Sequence, residues 1–239
     1  MSQPKPVQKR NVIVIGKTGT GKSTVANKIA GYGNFDVFHT SQSGTPKVSH
    51  CETTMDDPET NVRYDFKVID TIGLFDHRLS LYHKIMNKEI MDRIKVYLND
   101  VIPEGITLVM FVFRKGRFTQ EEEDTFNYIT ENFRNDISEI STLVITNCEN
   151  DDDEGRQDII EDFTKSQRAT ANFMKKGIHA VGFPDIQKVK QKLRAAFQED
   201  IEKDTEKLRD LVKKADEMRL GKKLFEPTIW EMASSCIIL

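Results

Sequence analysis

The chain has 239 residues, 31 % of them charged and 38 % hydrophobic, with a formal net charge of -3. That length buries a sizeable core, as one domain or one domain with an appendage, and the near-neutral balance gives no electrostatic case for a nucleic-acid partner. No apolar run reaches about 18 residues and the start, MSQPKPVQKR, is polar, so neither a spanning helix nor a secretory signal is read.

Cys51, Cys148 and Cys236 are widely spaced, with no C-x-x-C. That argues against a disulfide framework or a zinc site, and for a reducing, cytosolic setting.

Taken in order, residues 1–10 read as a polar tail and 11–184 as one α/β domain. Val12, Ile13, Val14 and Ile15 form a predicted strand that runs into Gly16, Lys17, Thr18, Gly19, Thr20, Gly21, Lys22, Ser23 and Thr24. The segment fits the phosphate-binding pattern G-x-x-x-x-G-K-[ST] at every required position. Its glycines let successive N–H groups turn inward on a phosphate, and the helix that follows adds its positive end. Lys22 is expected to reach the β- and γ-phosphates and Ser23 to offer its hydroxyl to Mg²⁺.

That helix is expected to close at Gly31. Phe35 to Glu59 is polar and without a clean period, and reads as a loop with a short edge strand near Lys47 to Thr53. It occupies the place of a nucleotide-sensing switch or of an ordinary surface loop. Phe66 to Ile69 form the next predicted strand, which delivers Asp70 to its C-terminal end ahead of Gly73. This is D-x-x-G, a carboxylate for Mg²⁺ and a glycine N–H for the γ-phosphate. The next residue is Leu74, where small signalling GTPases carry the glutamine that orients the attacking water.

Leu79 to Leu98 has helical apolar spacing, and Ile106 to Phe113 is an apolar run suited to a strand covered on both faces. In Thr119 with Glu122, a capping box opens a helix to about Phe133. Arg114 and Arg117, around Gly116, make a basic turn just before it or are plain solvated charges. Ser141 to Thr146 is the following strand, and Asn147, Cys148 and Glu149 come directly after it. A carboxylate there can accept from the N1–H and amino group of guanine, which adenine does not offer as a pair. Ile178 to Gly182 reads as a last strand. The alternation gives a three-layer α/β sandwich with a mostly parallel central sheet and ligand at the C-terminal strand ends.

Residues 185–225 form a predicted amphipathic helical extension, with apolar residues from Ile186 to Met218 and a possible break near Thr205; its stripe packs on the same domain or pairs with another chain. Residues 226–239 are a tail that ends in Cys236-Ile237-Ile238-Leu239, a C-a-a-X pattern that points to prenylation of Cys236 and a membrane-lipid contact.

With these residues together, the chain resembles the immunity-associated GTPases, the GIMAP or IAN family of AIG-type, septin- and Toc-like P-loop GTPases, over about Asn11 to Phe183. The marks are GKTGTGKST, Val37 to Thr40 (VFHT), Cys51-Glu52, the Asp70 to Phe75 form of D-x-x-G, and FRKGRFTQEEE. The resemblance implies a GTP/GDP- and Mg²⁺-binding domain, slow intrinsic hydrolysis, and dimers formed through the nucleotide face on the cytosolic side of a membrane. It implies Thr40 near the nucleotide, Asn147, Cys148 and Glu149 at the base, and Arg117 acting across a dimer as an arginine finger. Three places depart from the family: Val48 or Ser49 where the switch threonine falls, Ile72 where proline is usual, and Gly182-Phe183-Pro184 in the last base-contacting loop.

Overall fold

Strand β1, Val7–Ile15, lies at the middle of the sheet, and six of its residues from Arg10 onward are buried. Ile13 and Ile15 point into one apolar layer, Val12 and Val14 into the other. The period-2 pattern of an all-apolar strand thus feeds two cores at once, the arrangement of a sheet covered on both faces. The computed structural model describes residues 4–31, 35, 48–71, 95–116, 118–134 and 136–215.

The chain continues through α1 (Lys22–Ala30), β2 (Val48–Asp57), β3 (Val62–Thr71), a helical segment at 95–101 (α2), β4 (Leu108–Arg114), α3 (Gln120–Glu131), β5 (Ser141–Thr146), α4 (Asp153–Ser166), α5 (Arg168–Phe173), β6 (Ile178–Ala180) and α6 (Arg194–Lys213). The sheet order is β2-β3-β1-β4-β5-β6. Every neighbouring pair is parallel except β2 with β3. This is the expected mostly parallel α/β sandwich. The first core gathers Phe111, Leu143 and Ile145 of the sheet with Phe126 and Ile129 of α3. The second gathers Val68, Met110 and Val112 with Val25 and Ile29 of α1 and Leu208 and Val212 of α6.

Three elements differ from the sequence reading. Strand β1 starts at Val7, inside the stretch 1–10 read as a polar tail, because its polar residues pair in parallel with β3 from Arg63 onward and Arg10 is buried. The edge strand expected at Lys47 to Thr53 runs on to Asp57 and turns back into β3 as a hairpin, with Val48 opposite Thr71 and Asp57 opposite Val62. Its inner face is half-buried, with Cys51 and Met55 against the second core, but Ser, His, Glu, Thr and Asp fill the remaining positions from 49 to 57 and leave too few apolar residues to mark its length; register with β3 holds it. The predicted extension begins as a helix only at Arg194 and runs unbroken through Thr205 to Lys213. Residues 181–190 form no helix, which follows from Pro184 and from Asp185, whose carboxylate accepts the Gln187 N–H at 3.1 Å. Of the two placements open for the extension, α6 takes the first and packs on its own domain: Ile201, Leu208, Val212 and Ala215 are each at most 3 % exposed.

The box at α3 is as its sequence demands. The Thr119 hydroxyl accepts the Glu122 N–H and the Glu122 carboxylate accepts the Thr119 N–H at 3.0 Å, a reciprocal capping box. Gly31 closes α1 with φ 91. Among the described residues, no helix is long and apolar enough to cross a membrane.

Candidate functional site

The turn between β1 and α1 is pressed against the sheet. A Cβ on Gly16 would collide with the carbonyl oxygen of Val112 in β4, so only glycine fits there. Gly21 opens α1 with φ 91, a left-handed conformation that other residues enter at a cost. The loop is braced from inside. The Thr20 hydroxyl donates to the Lys17 carbonyl at 2.8 Å, and Thr146, at the end of β5, donates to the Thr20 carbonyl at 2.6 Å. Thr18 and Gly19 are exposed at the rim, while Lys17, Ser23 and Thr24 are half-buried.

Lys22 is only 5 % exposed, and its Nζ donates to the Lys17 carbonyl at 2.6 Å. Burial lowers its pKa to about 8, against the opposing pull of the Asp70 carboxylate. Strand β3 carries Asp70 to its end, fully buried, where Oδ2 accepts the Ser23 hydroxyl at 2.6 Å. The second carboxylate oxygen, Oδ1, is buried with no hydrogen-bond partner. Burial raises the Asp70 pKa; the Ser23 hydroxyl and the Lys22 charge pull it down.

An orphaned, buried carboxylate oxygen next to a serine hydroxyl at the N-terminus of a helix is a set of hard oxygen donors. It fits a small divalent cation shared with a phosphate. Among the described residues no group of three or more His, Cys, Asp or Glu side chains could hold a metal alone. The fit therefore rests on Ser23 and Asp70 with ligand oxygens completing the shell.

The far side of the site is built by the β5–α4 loop and the end of β6. Asn147 takes φ 67, a left-handed conformation that asparagine tolerates, and it lies exposed. Its Oδ1 accepts from Arg114 Nη2 at 3.2 Å. Cys148 is fully buried and its thiol pKa is pushed up to about 11 by burial, so it offers the site its backbone, not a reactive sulfur. Glu149 is half-buried, and Gly182 sits so close to it that a Cβ at 182 would strike the Glu149 backbone. Lys115 clamps the loop from β4: its N–H donates to the Thr146 carbonyl at 2.9 Å and its ammonium to both Asp151 oxygens at 2.6 Å.

The structure thus brings the phosphate loop, Ser23 and Asp70 together, with Asn147, Cys148 and Glu149 on the neighbouring loop. Thr40, Gly73, Leu74, Arg117 and Cys236 lie outside the described residues. Sequence reasoning missed Thr146, Arg156 and Asp204. The guanidinium of Arg156 donates to the Cys148 and Asp151 carbonyls and to Asp204, a buried carboxylate on α6. Asp204 had a signal: it falls on the apolar stripe of α6, between Ile201 and Leu208, where a solvated charge has no place.

Residues 10–177 match the sequence profile of the AIG1 family. Immune-associated nucleotide-binding protein 3 of Arabidopsis thaliana is 30 % identical over 155 residues, covering 64 % of this chain and 42 % of that protein. GTPase IMAP family member 8 of Rattus norvegicus is 29 % identical over 66 % of this chain and 21 % of its own length. The chain thus spans about two fifths or less of these curated relatives. Among solved structures, a dimerisation-deficient arginine-to-alanine mutant of Arabidopsis thaliana Toc33 superposes with TM-score 0.59 at 19 % identity, covering 86 % of this chain and 84 % of that one. Aquifex aeolicus Era bound to GDP and aluminium fluoride gives 0.55 at 16 % identity, over 92 % and 60 %.

The lowered pKa of Lys22 fixes a pH dependence. In the ligand-free protein, the unfolded chain holds more protons than the fold between about 8 and 10.5, so the free fold gains stability as pH rises through that window. Anion binding runs the other way, because it must recharge the amine. Pyrophosphate affinity, measured by calorimetry from pH 7 to 10, is expected to fall above pH 8 by at most about tenfold per pH unit, with proton uptake. A Lys22→Met variant is expected to bind weakly with no such slope, and a flat wild-type profile would refute the assignment.

Proposed function

The chain belongs to the AIG1 family, and from that premise we propose that it binds GTP and GDP with Mg²⁺, hydrolyses GTP slowly, and dimerises or oligomerises through its nucleotide face at a membrane surface. The observation that carries the reading is the buried Ser23–Asp70 pair with its orphaned oxygen beside Lys22, at the mouth of a glycine loop that takes a phosphate.

Each part of the site has a task. The N–H groups from Gly16 to Thr24 and the ammonium of Lys22 neutralise the polyphosphate, and Lys22 is the residue that meets charge developing during transfer. Ser23 directly and Asp70 through water would hold Mg²⁺, which would supply positive charge against the polyphosphate. The Gly73 N–H meets the γ-phosphate and Thr40 lies beside the nucleotide in this reading. Glu149 accepts from the guanine edge while Asn147 and the Cys148 backbone frame it. Support for guanine comes from the held position of Glu149 between Gly182 and the Lys115 clamp.

The hydrolysis rate follows from what replaces the usual water-orienting glutamine. Leu74 offers no hydrogen bond to water, so fast turnover needs a group from outside the chain's own site. Arg117 lies in a box whose neighbours are fixed: the Phe118 ring packs tilted against Phe113 at 4.9 Å and edge-to-face against Phe163 at 5.6 Å, and Lys115 is tied to Asp151. An arginine on such a turn serves a second copy across the nucleotide as a finger. Prenylation at Cys236, in the pattern Cys236-Ile237-Ile238-Leu239, would supply a peripheral tether on the cytosolic face, and a second copy adds the avidity that one lipid lacks. Leu74 also favours a second reading, a nucleotide-stabilised membrane scaffold with negligible turnover.

Titration with the fluorescent N-methylanthraniloyl (mant) analogues of GTP and ATP tests the base. Wild type is expected to hold mant-GTP at least about tenfold more tightly; equal affinities would remove the guanine reading. For the finger, GTP turnover per molecule should rise with protein concentration, and Arg117→Ala should flatten that rise. A wild-type rate that is independent of concentration leaves only the scaffold. Intact-mass measurement of protein from a eukaryotic host should show Cys236 carrying a C20 prenyl group with the last three residues gone; an unmodified mass with Leu239 retained excludes the tether.

A further inference from the structure

Asp204 stands on the apolar face of α6, 1 % exposed, among Ile201, Leu208 and Val212. A bare carboxylate in such a place is costly unless every lone pair is used. Its two oxygens go to the two loops that flank Glu149. Oδ2 accepts the Gly182 N–H at 2.7 Å, and Oδ1 accepts Arg156 Nη1 at 2.9 Å. Arg156, on the first turn of α4, turns its Nε to the Cys148 carbonyl at 3.3 Å and the Asp151 carbonyl at 3.1 Å. One carboxylate on α6 thus fixes the end of β6 directly and the β5–α4 loop through one guanidinium.

The loops are also locked to each other. Cys148 N–H donates to the Val181 carbonyl at 3.2 Å, and Gly182 is in contact with the Glu149 backbone. Gly182 therefore acts as a stop against which Glu149 rests, and Asp204 sets where that stop lies. One neighbour on α6 adds to the grip, Lys207, which reaches the Ala180 carbonyl at 3.4 Å; Lys203 pairs with Asp153 at 3.0 Å only on the exposed surface and holds neither loop.

We propose that Asp204, bridged by Arg156, is a positioning residue for base selection: it holds the Gly182 stop and the Cys148–Asp151 loop so that Glu149 meets the guanine edge. The proposal rests on the guanine reading of Glu149. It makes α6 part of the nucleotide site, so that loosening α6 loosens the base and leaves the phosphate cradle at the other end of the site unchanged. A role in packing alone would lower stability and leave base preference alone.

The test uses the full chain and measures the dissociation constants of GDP, IDP and ADP, with the thermal midpoint of the free protein, for wild type, Asp204→Asn, Arg156→Lys and, as a surface control, Lys203→Ala. Asp204→Asn keeps an acceptor for Gly182 and turns an amide against the guanidinium. Arg156→Lys keeps the charge and loses the fork that reaches three oxygens. Both are expected to shrink the GDP-to-ADP preference by about 3- to 30-fold, with ADP affinity changed by less than about twofold. IDP, which lacks the exocyclic amino group, should lose less than GDP, and Lys203→Ala should match wild type. If Asp204→Asn fails to fold, Arg156→Lys carries the test. An unchanged GDP-to-ADP ratio in the folded variants, whatever happens to the midpoint, overturns the proposal. A wild type that binds ADP as well as GDP removes the guanine reading first, and this proposal with it.

Discussion

The close approach of Gly16 to the Val112 carbonyl is the constraint on which the site depends. It seats the glycine loop on the middle of the sheet, where two buried hydroxyls tie neighbouring strands to the end of β1 and to the loop. Thr71 of β3 donates to the Val14 carbonyl at 2.7 Å, and Thr146 of β5 donates to Thr20 at 2.6 Å and to Phe113 at 3.2 Å. A parallel sheet ends its strands at one edge, so the same constraint that places the loop also lines up Asp70 from β3, the turn after β4 and the loop after β5.

That arrangement leaves charge inside the protein without full compensation. Lys22 is buried against a carbonyl, and Asp70 keeps one oxygen with no partner. Each disfavours the ligand-free fold, the lysine by desolvation and the aspartate by a lost hydrogen bond. Negative charge brought to Lys22 and positive charge brought to Asp70 would relieve both costs, which sit beside the two apolar cores above and below the sheet.

The other half of the site is held by polar contacts instead of by steric closeness to the sheet. Lys115 and Arg114 grip the β5–α4 loop from the α3 side, and Arg156 with Asp204 grips it from the α6 side. The loop lies between two clamps that belong to different layers of the sandwich. α6, which packs through Leu208 and Val212 into the core it shares with α1, is thus joined through Asp204 and Arg156 to α4, whose Ile159 and Phe163 lie against the other core.

Much of this was legible in the residues themselves. The glycine loop, the strand that delivers Asp70, the capping box at Thr119 and the strand before Asn147 are local patterns, each fixed by backbone geometry or by burial with a short period, and they stand where the sequence put them. The hairpin strand β2 was shortened because only Cys51 and Met55 on its half-buried inner face from Ser49 on are apolar; pairing with β3 defines its length. The start of α6 was placed too early because Ile186 and Val189 continue its spacing, yet Pro184 and the Asp185 turn stop the helix before Arg194. A break was expected near Thr205, yet the helix runs through it, and Asp204 beside it is a buried charge whose partners lie 22 and 48 residues away in sequence. The sequence by itself determined the phosphate cradle and the order of the elements, because those depend on neighbours along the chain. Only the tertiary structure decided which oxygen of Asp70 is left open, that Cys148 faces inward, and that α6 reaches Arg156 and the end of β6, because those depend on what is packed across the sheet.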